Sequence, residues 1–192
     1  YLIIGELSLD GKLRPIKGVL PIAIQARKHG LKGFILPKSN ASEAAIVNNL
    51  EVIPASDLKE AINFLEKKSS IKPLTKDTRE IFEYEQDHFD VDFQDVQGHE
   101  SVKRSLEVAA AGGHNIIMVG PPGGGKTMLA RRLQTILPPM SLHEALETTK
   151  IHSVAGKLKE NSSLVAKRPF ASPHHTSSDV ALVGGGSVPQ PG

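Results

Sequence analysis

The segment from Gly113 to Leu133, GHNIIMVGPPGGGKTMLARRL, limits what this chain can fold into more than any other stretch. Ile116, Ile117, Met118 and Val119 form a continuous apolar run that predicts a buried parallel strand, and Leu129, Leu133, Ile136 and Leu137 recur after it at helical spacing. Between them Gly120, Gly125, Lys126 and Thr127 satisfy G-x-x-x-x-G-K-[ST], a loop that joins strand to helix around a polyphosphate. Glycines at 120, 123, 124 and 125 let successive backbone N–H groups converge on phosphate oxygens with no Cβ in the way. The following helix aims its positive end at the same point. Lys126 is placed to reach β- and γ-phosphates and the Thr127 hydroxyl to ligate Mg2+. Pro121 and Pro122 stiffen the entry, and Met128 continues the nucleotide-binding set. The alternative, a flexible glycine turn with an exposed lysine, leaves the flanking strand and helix patterns without a purpose. The segment predicts a nucleoside triphosphate site.

A chain of 192 residues holds one ordinary domain or two small ones, and the charge pattern favours two. Net charge is +3 over residues 1–70, −6 over 71–100 and +5 over 101–192. The acidic, Pro-interrupted stretch 69–90 reads as a solvated linker between a domain over 1–68 and another over 91–192. No apolar run approaches the roughly 18 residues needed to cross a bilayer, so no membrane association is expected. The absence of Cys removes disulfides and thiolate metal sites and fits a reducing, cytoplasmic setting. Entry at Tyr1 directly into an apolar strand, and a final GGGSVPQPG, lead to the expectation of a piece of a longer protein.

Residues 2–9 read as a strand, with Asp10-Gly11 as a turn into residues 12–16. Gly18 to His29 predicts a helix with Pro21 in its first turn and Gly30 as terminator. Then follow a short buried strand at KGFILP, a helix opened by Asn40 with Glu43 three residues on, a strand at EVIPA, and a helix capped by Ser56. Alternating strands and helices predict an α/β layer. The run IGELSLDGKLRPIKGVLPIAIQARKHGLKGFILPKSN resembles the C-terminal half of the Lon-protease-like domain, over about the first 65 residues. In active members of that family a lysine soon after a Pro-Ile-Gly-Gly turn activates a serine. Aligning on Pro15 and Ile16 puts Leu20 at that position, and a leucine cannot act as a base. Lys17, in place of a turn glycine, reads as a solvated surface lysine. The resemblance therefore implies a scaffold without peptidase activity.

FQDVQGHESVKRSLEVAAAGGHN before the phosphate loop and RPFASPHHTSSDVALVGGGSVPQPG after it closely resemble the magnesium-chelatase-like AAA+ ATPases of the YifB and ComM type. In that family a Lon-like domain precedes a chelatase-like ATPase module, the order seen here. The fold class implied is α/β: a partial Lon-like domain plus the N-terminal part of a P-loop AAA+ domain with a parallel sheet and flanking helices. ATP and Mg2+ are the implied cofactors and a homo-hexamer the implied assembly. Val96 and Gly98 fall in the segment that borders the adenine pocket; His99 stands where the family pattern has Gln. Family members continue from the glycine-rich stretch into an apolar strand ending in paired acidic residues, the Walker B element, with sensor and arginine-finger residues further on. The chain reaches Gly192 before such a strand. Phosphate binding without efficient hydrolysis is expected of these residues alone, with ATP hydrolysis belonging to the full-length protein.

His174, His175 and Asp179 raise the question of a metal, but adjacent histidines in an extended loop point opposite ways and no further ligand cluster stands near. By the resemblance, Arg168 to Gly186 lies where this clade inserts loops facing a hexamer pore. Lys167, Arg168, His174 and Ser177 are then candidate nucleic-acid contacts, the alternative being a surface loop with no ligand. Arg131 and Arg132 read most simply as solvent or subunit-interface residues, and Gly112-Gly113 as the stop of a helix from His99 to Ala111. Two functions remain open: a DNA-remodelling motor of branch-migration or helicase-like type in competence or recombination, and a chelatase-type motor acting on a protein partner or in metal insertion. A charge of +2 and 4% aromatic residues do not choose between them.

Overall fold

The computed structural model describes residues 1–87, 89–158, 162–174 and 176–185. The expected strand over 2–9 divides in two. β1 (Leu2–Ile3) runs parallel to β4 (Gly33–Pro37), while β2 (Glu6–Leu7) turns away to pair antiparallel with β3 (Leu13–Arg14). Gly11, at φ 82°, takes the left-handed position that this hairpin turn needs. β5 (Glu51–Ala55) lies on the other side of β4, also parallel, giving the order β1-β4-β5 with Phe34 opposite Val52 and Ile35 opposite Ile53.

Every residue of central β4 is buried, and alternation along it and β5 feeds two cores. Phe34, Leu36 and Val52 face one way, onto Val19, Leu20, Ala23 and Ala26 of α1 (Val19–Lys28) and Ala41 and Ala44 of α2 (Ala41–Ala44). Ile35, Ile53 and Ala55 face the other, onto Ala61 and Phe64 of α3 (Leu58–Leu65). The chain is thus mixed α/β, a three-stranded parallel sheet flanked by helices. Pro21 falls in the first turn of α1, where its missing N–H breaks no helical bond.

Two caps differ from the sequence reading. Asp57, not Ser56, caps α3, its side chain accepting from Glu60 N at 2.8 Å, while Ser56 N donates to the Glu60 carboxylate. Asn40 does not cap α2; its amide accepts from Ile16 N at 2.9 Å and donates to Ile16 O at 3.0 Å. The helix expected from Asn40 onward shrinks to a 3-10 turn (Lys38–Asn40) and the single turn of α2, because Asn40 and Glu43 spend their side chains on the backbone entering α1.

The acidic stretch is not a solvated spacer. Leu74 pairs with Val52, and α4 (Thr78–Asp87) turns Ile81 and Phe82 onto the first core, with the Thr78 hydroxyl on Ile46 O at 2.8 Å. The excess of negative charge hid an apolar face at helical spacing. α7 (Leu142–Ala155), capped by a Ser141/Glu144 box, lies against α1, and Met140, Ala145, Leu164 and Ala166 complete the same core as β4 and β5. Residues on both sides of 69–90 therefore share one hydrophobic cluster. Glu43 anchors the contact: buried at 7% exposure, its Oε1 accepts from Leu20 N at 2.8 Å and from the Ser153 hydroxyl of α7, while Gly18 N donates to Ser153 O at 3.1 Å. A second, smaller cluster of Phe93, Val96, Leu106 and Leu129 is built by α5 (Glu100–Gly112), α6 (Lys126–Leu133) and the turn before them. α8 (Asp179–Val183) places one helical turn inside the stretch expected to be loop.

Candidate nucleotide-binding site

α6 forms over the first half of the expected run, with Leu129 buried at 2% and Leu133 packed beside it, and ends before Ile136 and Leu137, which were expected to continue it. Gly125 is its N-cap at φ 75°, without a side-chain cap, so the first-turn N–H groups keep no side-chain partner from that position. Gly123, at φ 78°, is the second left-handed residue of the loop. Gly124 N closes a turn on Pro121 O at 3.3 Å, and a Cβ there would stand 3.2 Å from that oxygen; at Gly120 and Gly123 a Cβ would meet nothing within 4 Å. The loop is curled and open on its outer side. Lys126 Nζ donates to Gly120 O at 2.8 Å and Pro121 O at 2.6 Å, so the cation sits on the loop's own carbonyls. Thr127 is exposed at the start of α6, beside the half-buried Met128; Pro121 and Pro122 are exposed.

The strand expected over residues 116–119 is not formed. Ile117 is 87% and Val119 90% exposed, and no strand bonds them among the described residues. A parallel strand needs a neighbouring backbone to take its hydrogen bonds, and the parallel strands of this structure belong to the N-terminal sheet. Only Met118 of this run packs inward, against the second cluster.

Val96 is buried at 3%, its side chain turned into the cluster with Leu129 rather than toward a cleft. Gly98 at φ 68° and His99 at φ 58° are both left-handed and lead into α5, so the position where the family pattern has Gln carries a backbone turn that histidine tolerates better than most side chains. Gly113, at φ 64°, ends α5 as expected.

The turn before Val96 is tied to the end of α6 by Arg132 and by Thr135, the second of which the sequence did not single out. Arg132, expected at a solvent or subunit surface, has a side chain only 21% exposed. Its Nε donates to Asp92 O at 3.0 Å, and its guanidinium lies 3.9 Å from the Asp95 carboxylate. Thr135 Oγ1 accepts from Phe93 N at 3.1 Å and donates to Arg132 O at 2.8 Å. A short polar side chain one turn after an arginine gave no hint of this, since both partners lie 40 residues or more away in sequence.

The remaining candidates are dispersed. Lys167 Nζ lies 4.9 Å from the centre of the Phe89 ring, and Arg168 donates to Pro138 O at 2.9 Å and stands 3.8 Å from Glu144. His174 pairs with the Thr176 hydroxyl at 2.7 Å, and its carbonyl accepts from Ser177 N. His175 and Gly186 lie outside the described residues, among which no cluster of three metal-ligating side chains occurs. Leu20 is fully buried and Lys17 exposed alongside Gly156. Among the described residues no helix is long and apolar enough to cross a membrane.

A mixed α/β scaffold carrying a Gly-Lys-Thr loop at a helix start is the class of protein this geometry defines. Residues 92–192 match the family described as Magnesium chelatase, subunit ChlI, and residues 1–40 match Subunit ChlI of Mg-chelatase; the chain belongs to this magnesium-chelatase-like AAA+ family. It is 42% identical over 199 residues to the uncharacterized protein YifB of Escherichia coli, covering 100% of this chain and 37% of that protein. It is 39% identical over 189 residues to the competence protein ComM of Haemophilus influenzae, covering 98% of this chain and 37% of that protein. A shorter match, 35% identical over 63 residues, is to the Lon protease of Rhizobium meliloti, covering 30% of this chain and 8% of that protein. The chain thus spans well under half the length of the curated relatives it matches.

Proposed function

We propose that this chain is the ATP-binding portion of an AAA+ motor that remodels DNA, of branch-migration or helicase-like type, in competence or recombination. The observation that carries the nucleotide reading is the Lys126 ammonium held on Gly120 O and Pro121 O at the side-chain-uncapped start of α6. The residues fit a triphosphate: left-handed glycines at 123 and 125, open space at Gly120 and Gly123, and helical N–H groups facing the same point. Lys126 would exchange its two carbonyls for β- and γ-phosphate oxygens, and the exposed Thr127 hydroxyl would hold Mg2+, which neutralises charge on the phosphates. Met128 would flank the phosphates, and the backbone at Val96 and Gly98 would border the base. In this reading residues 1–68 form a Lon-like scaffold without peptidase chemistry, 91–192 begin the ATPase module, and the full-length protein is a cytoplasmic homo-hexamer with the stretch 168–186 toward its pore. The name of the competence relative supports DNA as the substrate.

A second reading, a chelatase-type motor acting on a protein partner or in metal insertion, draws support from two of the cations put forward for DNA. Lys167 and Arg168 are already engaged with Phe89, Pro138 and Glu144. Calorimetry on the full-length protein tests the nucleotide reading: Lys126→Ala should abolish measurable ATP binding with the fold retained, and unchanged affinity refutes it. ATPase rates with and without branched or single-stranded DNA then separate the two substrates.

A further inference from the structure

The helix that begins at the phosphate loop also holds, at its far end, the turn that leads to Val96 and Gly98, whose backbone is proposed above to border the base. α6 starts at Lys126; Arg132 lies six residues on, about 9 Å along the axis at the rise of an α-helix. From there Arg132 Nε reaches Asp92 O at 3.0 Å and Thr135 Oγ1 takes the Phe93 N–H at 3.1 Å, two bonds to consecutive residues of one turn. That turn is stiff in its own right. Asp92 accepts from Gln94 N at 2.9 Å, Asp95 accepts from Asp92 N at 3.0 Å, and Phe93 and Val96 are buried against Leu129 of the same helix. Three residues after Phe93 the chain arrives at Val96, and then at the left-handed pair Gly98 and His99.

We propose that Arg132 and Thr135 are positioning residues for the base of the nucleotide: they fix the 92–98 segment to the helix that carries the phosphate loop, so that base and phosphates are gripped by one rigid unit. The inference rests on the nucleotide reading above. Apolar packing of Phe93 and Val96 presses the turn onto α6 without direction, whereas the two hydrogen bonds set its register along the helix. The bonds of these two side chains go to the turn at 92–95 rather than to the loop at 120–127, so their contribution would fall on the nucleoside end of the ligand. A guanidinium whose side chain is mostly buried on a main-chain carbonyl is also too committed to serve as a free surface charge.

The test is calorimetric titration of the full-length protein with ATP and, separately, with inorganic tripolyphosphate. Arg132→Lys and Thr135→Val should each weaken ATP binding by about tenfold, the size of one lost hydrogen bond to a charged or buried group, while tripolyphosphate affinity changes by less than about twofold. Thr135→Ser, which keeps the hydroxyl, should restore ATP affinity. Equal losses for both ligands, or normal ATP affinity in both variants, overturn the positioning role. A wild-type protein that binds neither ligand overturns the nucleotide reading itself, and the inference with it. Should Arg132→Lys fail to fold, the Thr135→Val and Thr135→Ser pair separates the same outcomes.

Discussion

Removing the Glu43 carboxylate should uncouple α7 from α1. Glu43 is 7% exposed, and its Oε1 receives both the Leu20 N–H, an otherwise orphaned donor in the first turn of α1, and the Ser153 hydroxyl. Glu43→Ala leaves two donors without an acceptor, at about 1.5–3 kcal/mol for each hydrogen bond to a charged group. Glu43 also lines a cleft with Lys17, Asn40 and Ser153, through which water can reach part of the gap. The lower end therefore applies, and we expect a loss of about 3–4 kcal/mol. Glu43→Gln keeps an acceptor oxygen in the same place and should cost less than about 1.5 kcal/mol. The assay is urea unfolding of the full-length protein together with amide exchange at Leu20, whose N–H should lose protection in the alanine variant and keep it in the glutamine variant. Because the Ser153 hydroxyl donates directly to Glu43, the Glu43→Ala and Ser153→Ala effects should be less than additive in the double variant. Equal losses in Glu43→Ala and Glu43→Gln, or strict additivity with Ser153→Ala, refute the reasoning.

Casein incubated with the full-length protein should remain uncleaved, since fully buried Leu20 offers no base; serine-reagent-sensitive cleavage contradicts this. Replacing Lys167 and Arg168 together by Ala should weaken DNA binding and flatten its salt dependence with ATP affinity nearly unchanged, whereas an unaltered salt slope with normal DNA affinity favours the protein-partner reading. The Ser141 backbone and side chain hold the Glu144 carboxyl below its ordinary 4.5, with Arg168 adding to the effect. A carboxyl depressed in the folded state stabilises above its unfolded pKa and loses that contribution as pH falls through the folded value. α7 should therefore fray first at its N-terminus as pH falls below the ordinary carboxylate range, and Ser141→Ala should raise the Glu144 pKa; an unchanged carboxyl titration by NMR contradicts the assignment.

The sequence by itself determined the features written in neighbouring residues. Gly120 to Thr127 announced the loop because glycines, a lysine and a threonine at that spacing answer one local chemical demand, and α6 follows from Leu129 and Leu133, the first two of the four apolar residues at helical spacing. The strands at 33–37 and 51–55 were equally visible, as short apolar runs between turn signals. Leu20 as a core residue needed only its identity. What tertiary structure decided was everything that depends on a partner far along the chain. The run 116–119 has the residues of a strand, but a strand exists only where another backbone takes its hydrogen bonds, and here none does among the described residues. The acidic stretch has the charge of a linker, yet Ile81 and Phe82 found a core built by the sheet and α7 and ordered it into α4. Asn40, Glu43 and Arg132 read locally as a cap, a helix acid and a surface group, and Thr135 carried no local signal. Each instead satisfies backbone groups at least 23 residues away, because a buried N–H or C=O must be paired by whatever the fold brings within reach.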